Sequence, residues 1–198
     1  MYKINELPTP CFVIDEGKLE ENLKLLHQVE ERTGAKILLA QKCFSCFSEY
    51  PLIGKYISGT TASGLYEARL GKEEMGLENH VYSPAYRPQD MEELAQICDH
   101  IIFNSEKQLR TYLPVLKASG TAKAGLRINP ECSTQEGHAI YDPVRPAPAW
   151  ASAPAILQTN WPILWMVFIF IPSVNRIRMI WKPRCAPWKK NSASGFLK

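Results

Sequence analysis

Lys42 stands just after an apolar run, residues 37–40, with only Gln41 between them. Such a run predicts a buried strand, and a lysine that follows it lies at the strand's carboxyl end. In α/β barrels the active site is built at that end. Apolar neighbours would strip water from the ammonium and favour a neutral amine, which can form a Schiff base with an aldehyde. A strand-end lysine that simply reaches solvent fits the same spacing, and spacing alone favours it.

The cysteines offer a second, weaker chemical signal. Cys43 and Cys46 form a Cys-x-x-Cys pair, but no second pair stands at the spacing of a zinc ribbon. Small apolar residues on a helix face explain the pair equally simply. The sequence therefore predicts no metal site and no disulfide framework among its six cysteines, which are Cys11, Cys43, Cys46, Cys98, Cys132 and Cys185.

The elements that must position Lys42 follow one rhythm along the first 143 residues. Short apolar runs predict strands at 11–14, 36–40, 60–63, 80–83, 100–103 and 123–129. Helical patterns lie between them at 17–33, 45–57, 65–75, 88–98 and 105–117. Six strand–helix alternations predict a parallel α/β architecture, and both doubly wound sheets and (β/α)8 barrels fit. Neither the dinucleotide-binding GxGxxG nor the GxxxxGK[ST] phosphate loop is present.

Several helix ends are marked by residues that satisfy the terminal peptide groups. Asp15 is a suitable N-cap for the first helix, and Gly34 is a suitable stop. Ser105 and Gln108 form the pattern of a capping box at the start of the last predicted helix. In the first helix Leu19, Leu23, Leu26 and Val29 are predicted to form one apolar stripe.

Composition breaks sharply after Pro143. Residues 1–143 hold 15 Lys and Arg and all 20 Asp and Glu, a net charge of −5, whereas residues 144–198 hold 8 Lys and Arg and no acid, a net charge of +8. All five Trp lie in the second part. One uniform domain is therefore excluded. The basic residues are scattered among prolines without a helical face, so neither a nucleic acid nor a membrane is expected as a partner.

The sequence predicts neither a signal peptide nor a membrane-spanning helix. The first six residues contain no apolar core of a signal peptide. The apolar run 161–172 is shorter than the ~20 residues of a membrane-spanning helix, and prolines stand near both of its ends. We expect a cytoplasmic protein.

Several motifs resemble one enzyme family. The strings PTPCFVID at 8–15, LAQKCFS at 39–45 and TASGLYEARLG at 61–71 are similar to the opening of alanine-racemase-fold, pyridoxal-phosphate-dependent decarboxylases. Within them, FNSE at 103–106, LRINP at 126–130 and GHAIYDP at 137–143 resemble carboxynorspermidine (carboxyspermidine) decarboxylases. Gln41 departs from the pattern, which predicts an aliphatic residue there.

The resemblance implies that residues 1–143 are the N-terminal part of a pyridoxal-phosphate-binding (β/α)8 barrel. It implies that Lys42 holds the cofactor, as the catalytic and cofactor-binding residue, in an enzyme of polyamine biosynthesis that acts as a homodimer on a small polyamine precursor. Arg127, at a strand end, equally well contacts the cofactor or a neighbouring carboxylate or is a solvated surface residue, and His138 and Tyr141 are assigned structural roles. A decarboxylase of the diaminopimelate or ornithine type, or a non-catalytic cofactor-binding barrel, remains an alternative.

The resemblance stops at Pro143, where relatives would continue with a string such as CAPGSRLG and later HFHTLCEQN. Reading possible codons one base earlier, residues 143–152 can encode CAPGSRLGV and residues 165–181 can encode DGFHFHTLCEQNSDDLE. We therefore hypothesise a single-base deletion near codons 143 and 144. On this hypothesis residues 144–198 are an irregular out-of-frame tail, and the chain as written is an inactive fragment.

Overall fold

Five parallel strands alternate with helices along residues 6–127, the part of the chain that the computed structural model describes. The strands are β1 (Leu38–Ala40), β2 (Gly59–Ala62), β3 (Glu78–Tyr82), β4 (His100–Phe103) and β5 (Lys123–Leu126). The α-helices are α1 (Glu16–Thr33), α2 (Tyr50–Ile53), α3 (Leu65–Leu70), α4 (Met91–Ile97) and α5 (Glu106–Ser119). Single 3₁₀ turns, Phe47–Glu49 and Pro88–Asp90, precede α2 and α4, and a π-helical turn, Gly71–Met75, continues α3.

The predicted helix ends are confirmed, because each is set by neighbours within four residues. The Asp15 carboxylate accepts the Lys18 N–H at 3.1 Å, and Gly34 ends α1 with a φ of 70°. Ser105 Oγ accepts the Gln108 N–H at 3.3 Å. In the capping box, however, Gln108 Oε1 accepts the N–H of Asn104 rather than that of the cap residue itself.

The strand order decides between the two parallel architectures. The strands lie side by side in chain order, β1-β2-β3-β4-β5, and each pairs in parallel with the next. A doubly wound sheet reverses its order after the first strands, because its helices cover both faces. A sequential order places every crossover helix on the same face, as in a barrel wall. The described residues thus form five consecutive strands of a singly wound α/β sheet.

Side-chain alternation gives this sheet two distinct faces. Ala62, Val81, Phe103 and Leu126 are buried in one core together with residues of α3, α4 and α5. We call this side the helix face. The residues between them along each strand belong to the opposite side, which we call the inner face. Its members include Thr61, His80, Tyr82, His100 and Ile102.

Asn79 ties the helix face together. Its buried Nδ2 donates hydrogen bonds to the carbonyl oxygens of Ala68 at 2.8 Å and Ile97 at 3.2 Å. Its Oδ1 accepts the Thr60 hydroxyl at 3.2 Å. One side chain therefore joins two strands to the ends of two helices.

Two predictions about the first residues are wrong. The run 11–14 is not a strand: Phe12 and Val13 are exposed, at 105% and 55%. A parallel strand needs a neighbour for its peptide groups, and within residues 6–127 β1 pairs only with β2. The stripe on α1 is also divided, because Leu23 is buried whereas Leu26 and Val29 are exposed at 40% and 47%.

The remaining boundaries agree with prediction within a few residues. The amphipathic stretch 45–57 contains only a 3₁₀ turn and the four-residue α2. Strand β5 ends at Leu126, and residues 128 and 129 of its predicted span lie outside the described residues, as do His138, Tyr141 and the tail. Among residues 6–127, no helix combines the length and apolar character needed to cross a membrane.

Candidate active site at the carboxyl end of the sheet

Lys42 lies immediately beyond the carboxyl end of β1. The Gln41 N–H donates to the Thr61 carbonyl at 3.2 Å, so the β1–β2 ladder runs one residue past Ala40. The N–H groups of Cys43 and Phe44 then both donate to the Ala40 carbonyl, at 2.9 and 3.2 Å, and close a turn around Lys42. The predicted position at the strand end is confirmed. Continued alternation assigns Lys42, like Leu38 and Ala40, to the inner face.

The predicted loss of hydration at Lys42 is not observed. Its side chain is exposed, and within residues 6–127 it makes no hydrogen bond or ion pair. The physical reason is its place in a turn beyond β1, an edge strand of the described sheet, whereas Ile102 in the interior strand β4 is only 2% exposed on the same face. Lys42 is thus an accessible amine rather than a desolvated one.

Gln41, the residue that departs from the family pattern, is buried on the helix face. Only 1% of it is exposed, and its Oε1 accepts the hydroxyl of the fully buried Tyr50 at 3.3 Å. Burial raises the pKa of Tyr50, which keeps that hydroxyl a donor. The pair anchors the turn that carries Lys42 to α2. Gln41 therefore positions its neighbour without entering the inner face.

A polar network lies at the same end of the sheet, beyond β3, β4 and β5. Arg127 is 6% exposed, and its Nη1 donates to the Tyr82 hydroxyl at 2.7 Å. The guanidinium carbon lies 4.9 Å from the centre of the Tyr82 ring. The Tyr82 hydroxyl in turn donates to Asn104 Oδ1 at 2.8 Å. The interpretation of Arg127 as a solvated surface residue is therefore wrong. Its backbone N–H donates to the Phe103 carbonyl and continues the β4–β5 ladder, and its side chain is buried against Tyr82.

Lys42 and Arg127 lie at opposite edges of the described sheet. Four strand spacings of about 4.8 Å separate them, or roughly 19 Å along the sheet. Only curvature of the sheet can bring both to one small molecule. The carboxyl end therefore offers an accessible amine at one edge and a buried cation, held by a tyrosine, at the other.

The Cys-x-x-Cys pair forms neither a disulfide nor a metal cluster within the described residues. Cys43 is exposed, and Cys46 Sγ lies 3.2 Å from Ser48 Oγ. Neither thiol belongs to a group of three ligand-type side chains there. The interpretation of the pair as small apolar residues on a helix face is also wrong, because Cys43 lies in an exposed turn and Cys46 precedes the 3₁₀ turn Phe47–Glu49.

The structure also brings together a cluster that the sequence analysis did not single out. Glu78, His80 and His100 meet on the inner face across β3 and β4, where the two histidines lie in register with Ala40 of β1. A signal was present, because the Glu-x-His pattern puts two side chains on one face of a strand. The third member, His100, could be identified only from the register between β3 and β4.

Burial and neighbouring groups shift the pKa values of two members of this cluster. Burial, then the neighbouring His80, lowers the pKa of His100. Burial alone would raise the pKa of Glu78, but hydrogen bonds from Lys36 and His80 outweigh it and lower that pKa. These shifts favour the carboxylate form of Glu78 and the neutral form of His100.

The chain is similar in sequence to curated decarboxylases. No family profile matches the chain. It is 41% identical over 140 residues to carboxynorspermidine/carboxyspermidine decarboxylase of Herminiimonas arsenicoxydans, covering 71% of this chain and 37% of that protein. It is 38% identical over 160 residues to carboxyaminopropylagmatine decarboxylase of Synechocystis, covering 81% of this chain and 41% of that protein.

A solved structure supports the same relationship. Carboxynorspermidine decarboxylase from Campylobacter jejuni, in complex with norspermidine, superposes with a TM-score of 0.70 at 31% identity. The match covers 83% of this chain and 42% of that one. The chain thus spans about 40% of the length of the relatives it matches. Over the matched residues it is similar to carboxynorspermidine and carboxyspermidine decarboxylases, as its motifs predicted, and its described strands form part of the α/β barrel wall of that fold.

Proposed function

We propose that the protein represented by residues 1–143 is a pyridoxal-phosphate-dependent carboxy-lyase of polyamine biosynthesis. Its substrate would be carboxynorspermidine or carboxyspermidine, and its product norspermidine or spermidine. The observation that carries the proposal is the accessible amine of Lys42 at the carboxyl end of β1, in a chain similar to these enzymes. We also propose a homodimer and a cytoplasmic location for the complete enzyme.

The described residues fit the cofactor as far as they extend. Pyridoxal phosphate, when bound, accepts the electron pair released as a carboxylate leaves as CO₂. Lys42 would hold its aldehyde, because an exposed primary amine without a competing ion pair is free to condense. Arg127 would provide a fixed positive charge for an anionic group of the cofactor or substrate. Its hydrogen bond to Tyr82 keeps the guanidinium in place before binding.

A related substrate is a second candidate. The match to carboxyaminopropylagmatine decarboxylase covers 81% of this chain, more than the 71% for the carboxynorspermidine enzyme, although its identity is slightly lower. Both names describe decarboxylases of carboxylated polyamine-type amines.

Cofactor trapping tests the role of Lys42 in the chain as written. The chain is incubated with pyridoxal phosphate, reduced with borohydride, digested and mapped by mass spectrometry. We expect the reduced adduct mainly on Lys42, its loss in Lys42→Arg, and its retention in Lys55→Arg, a matched variant of another exposed lysine. Labelling of Lys42 no stronger than that of Lys55 would contradict the assignment.

Restoring the frame tests the reaction itself. We propose that residues 1–143 are a partial barrel and residues 144–198 an out-of-frame tail, so the chain as written should release no CO₂. Sequencing the gene across codons 143 and 144 tests the deletion, and an intact frame there would remove it. The in-frame protein should decarboxylate carboxynorspermidine in preference to diaminopimelate or ornithine, and Lys42→Arg should abolish the reaction. Preference for either amino acid would select that alternative, whereas cofactor binding without CO₂ release would indicate a non-catalytic barrel.

A further inference from the structure

We propose that Glu78, His80 and His100 form a binding site for a divalent transition-metal ion, Zn²⁺ in particular, on the inner face. This site is separate from the proposed decarboxylase centre, because its ligands lie within β3 and β4, two and three strands away from β1 and Lys42. One carboxylate and two imidazoles are a ligand set that zinc proteins use, with water in the fourth position.

The spacing of the ligand atoms is close to what zinc requires. Zinc–ligand bonds of about 2.0–2.1 Å at tetrahedral angles place neighbouring ligand atoms roughly 3.3 Å apart. Glu78 Oε1 lies 2.8 Å from His80 Nε2 and 3.6 Å from His100 Nδ1, on either side of that value. All three atoms lie within 4.8 Å of one another. Small side-chain rotations would bring them onto one ion.

His100 has an unused ligand atom. Its Nδ1 is buried and makes no hydrogen bond within residues 6–127, which is a costly state for a polar atom. The two imidazole rings lie 4.3 Å apart, in register across β3 and β4, so neither must leave its strand to share an ion. A bound cation would satisfy the nitrogen that the protein leaves unpaired.

Two lysines next to the cluster affect how it would bind a cation. Lys36 forms its ion pair with the other carboxylate oxygen, Glu78 Oε2, so Oε1 faces the imidazoles. Such a second partner orients a ligating carboxylate. Lys36 and, next to His100 in the β4–β5 register, Lys123 add positive charge that opposes a cation, so the expected affinity for the metal ion is moderate.

Zinc titration of the full 198-residue chain tests the proposal. Cys43→Ser and Cys46→Ser are introduced first, so that the thiol pair cannot compete. Zn²⁺ is titrated in competition with a chromophoric chelator, and Co²⁺ serves as an optical probe. We expect one equivalent to bind, with affinity reduced at least about tenfold in His100→Phe and in His80→Phe.

His27→Phe is the matched control. Its Nδ1 is already hydrogen-bonded to the Tyr56 carbonyl at 2.9 Å, and its Nε2 lies 3.6 Å from Glu31 Oε1. Its loss should leave zinc affinity unchanged. Glu78→Gln keeps the size of the side chain and should weaken binding as the histidine variants do, which guards against misfolding of a phenylalanine variant.

Three results would overturn the proposal. One is zinc affinity that is the same in His100→Phe and Glu78→Gln as in the parent. Another is an equal loss of affinity in His27→Phe. The third is a thiolate charge-transfer band in the Co²⁺ form, which would assign the ion to the remaining cysteines. Far-UV circular dichroism on every variant separates loss of ligands from loss of fold.

Discussion

Asn79 is the side chain through which the helix face can be tested most directly. It is fully buried, and it makes three hydrogen bonds, to the Ala68 and Ile97 carbonyls and from the Thr60 hydroxyl. Asn79→Ala removes all three and leaves those partner groups buried without replacement. Its neighbours along β3 are Glu78 and His80, so loss of this anchor would also loosen the inner-face cluster.

The expected cost follows from the hydrogen bonds. Each contributes about 0.5–1.5 kcal/mol net, so three give a loss of about 1.5–4.5 kcal/mol in the free energy of unfolding. Urea unfolding followed by circular dichroism measures it. Asn22→Ala, at an exposed position of α1, is the matched control and should change stability by less than about 0.5 kcal/mol.

A double-mutant cycle isolates one of the three bonds. Thr60→Val removes the hydroxyl with almost no change of shape, and Thr60 is 1% exposed. We expect Thr60→Val and Asn79→Ala together to cost about 0.5–1.5 kcal/mol less than the sum of the single variants. A cost for Asn79→Ala no larger than that of the control, or strict additivity in the cycle, would refute the proposed network.

Three further predictions concern backbone contact, thiol reactivity and capping. Gly59→Ala should lower the free energy of unfolding by at least about 3 kcal/mol, because the new Cβ would lie 1.9 Å from the Glu78 carbonyl oxygen. The control Gly64→Ala should fold, because no atom lies within 4 Å of its new Cβ. Equal urea midpoints for the two variants would contradict this. Burial raises the pKa of Cys98 to about 12, so at pH 8 a disulfide reagent should modify Cys98 only on unfolding, well after the exposed Cys43. Mass mapping of the labelled protein measures the two rates, and equal rates would exclude this. Ser105→Ala should lower the free energy of unfolding by about 1 kcal/mol through loss of the cap, against a change below about 0.5 kcal/mol for exposed Ser45→Ala; identical thermal midpoints would count against the cap.

Local features of this chain could be predicted from sequence alone because their partners are close in sequence. Asp15, Gly34 and Ser105 each satisfy peptide groups within four residues, so the helix ends do not depend on the remainder of the fold. The position of Lys42 at a strand end followed likewise from the apolar run before it. The run 11–14 shows the limit of this reasoning, because an apolar segment becomes a strand only where a neighbouring strand accepts it.

Only the tertiary structure decided what meets across the sheet. The sequential strand order, the burial of Arg127 against Tyr82, and the pairing of His80 with His100 all depend on strand neighbours and register, which a one-residue shift would reverse. The exposure of Lys42 likewise depends on the place of β1 at an edge of the described sheet. Short-range hydrogen bonds made the elements predictable, whereas contacts between residues 20 to 45 positions apart created the chemistry on the inner face.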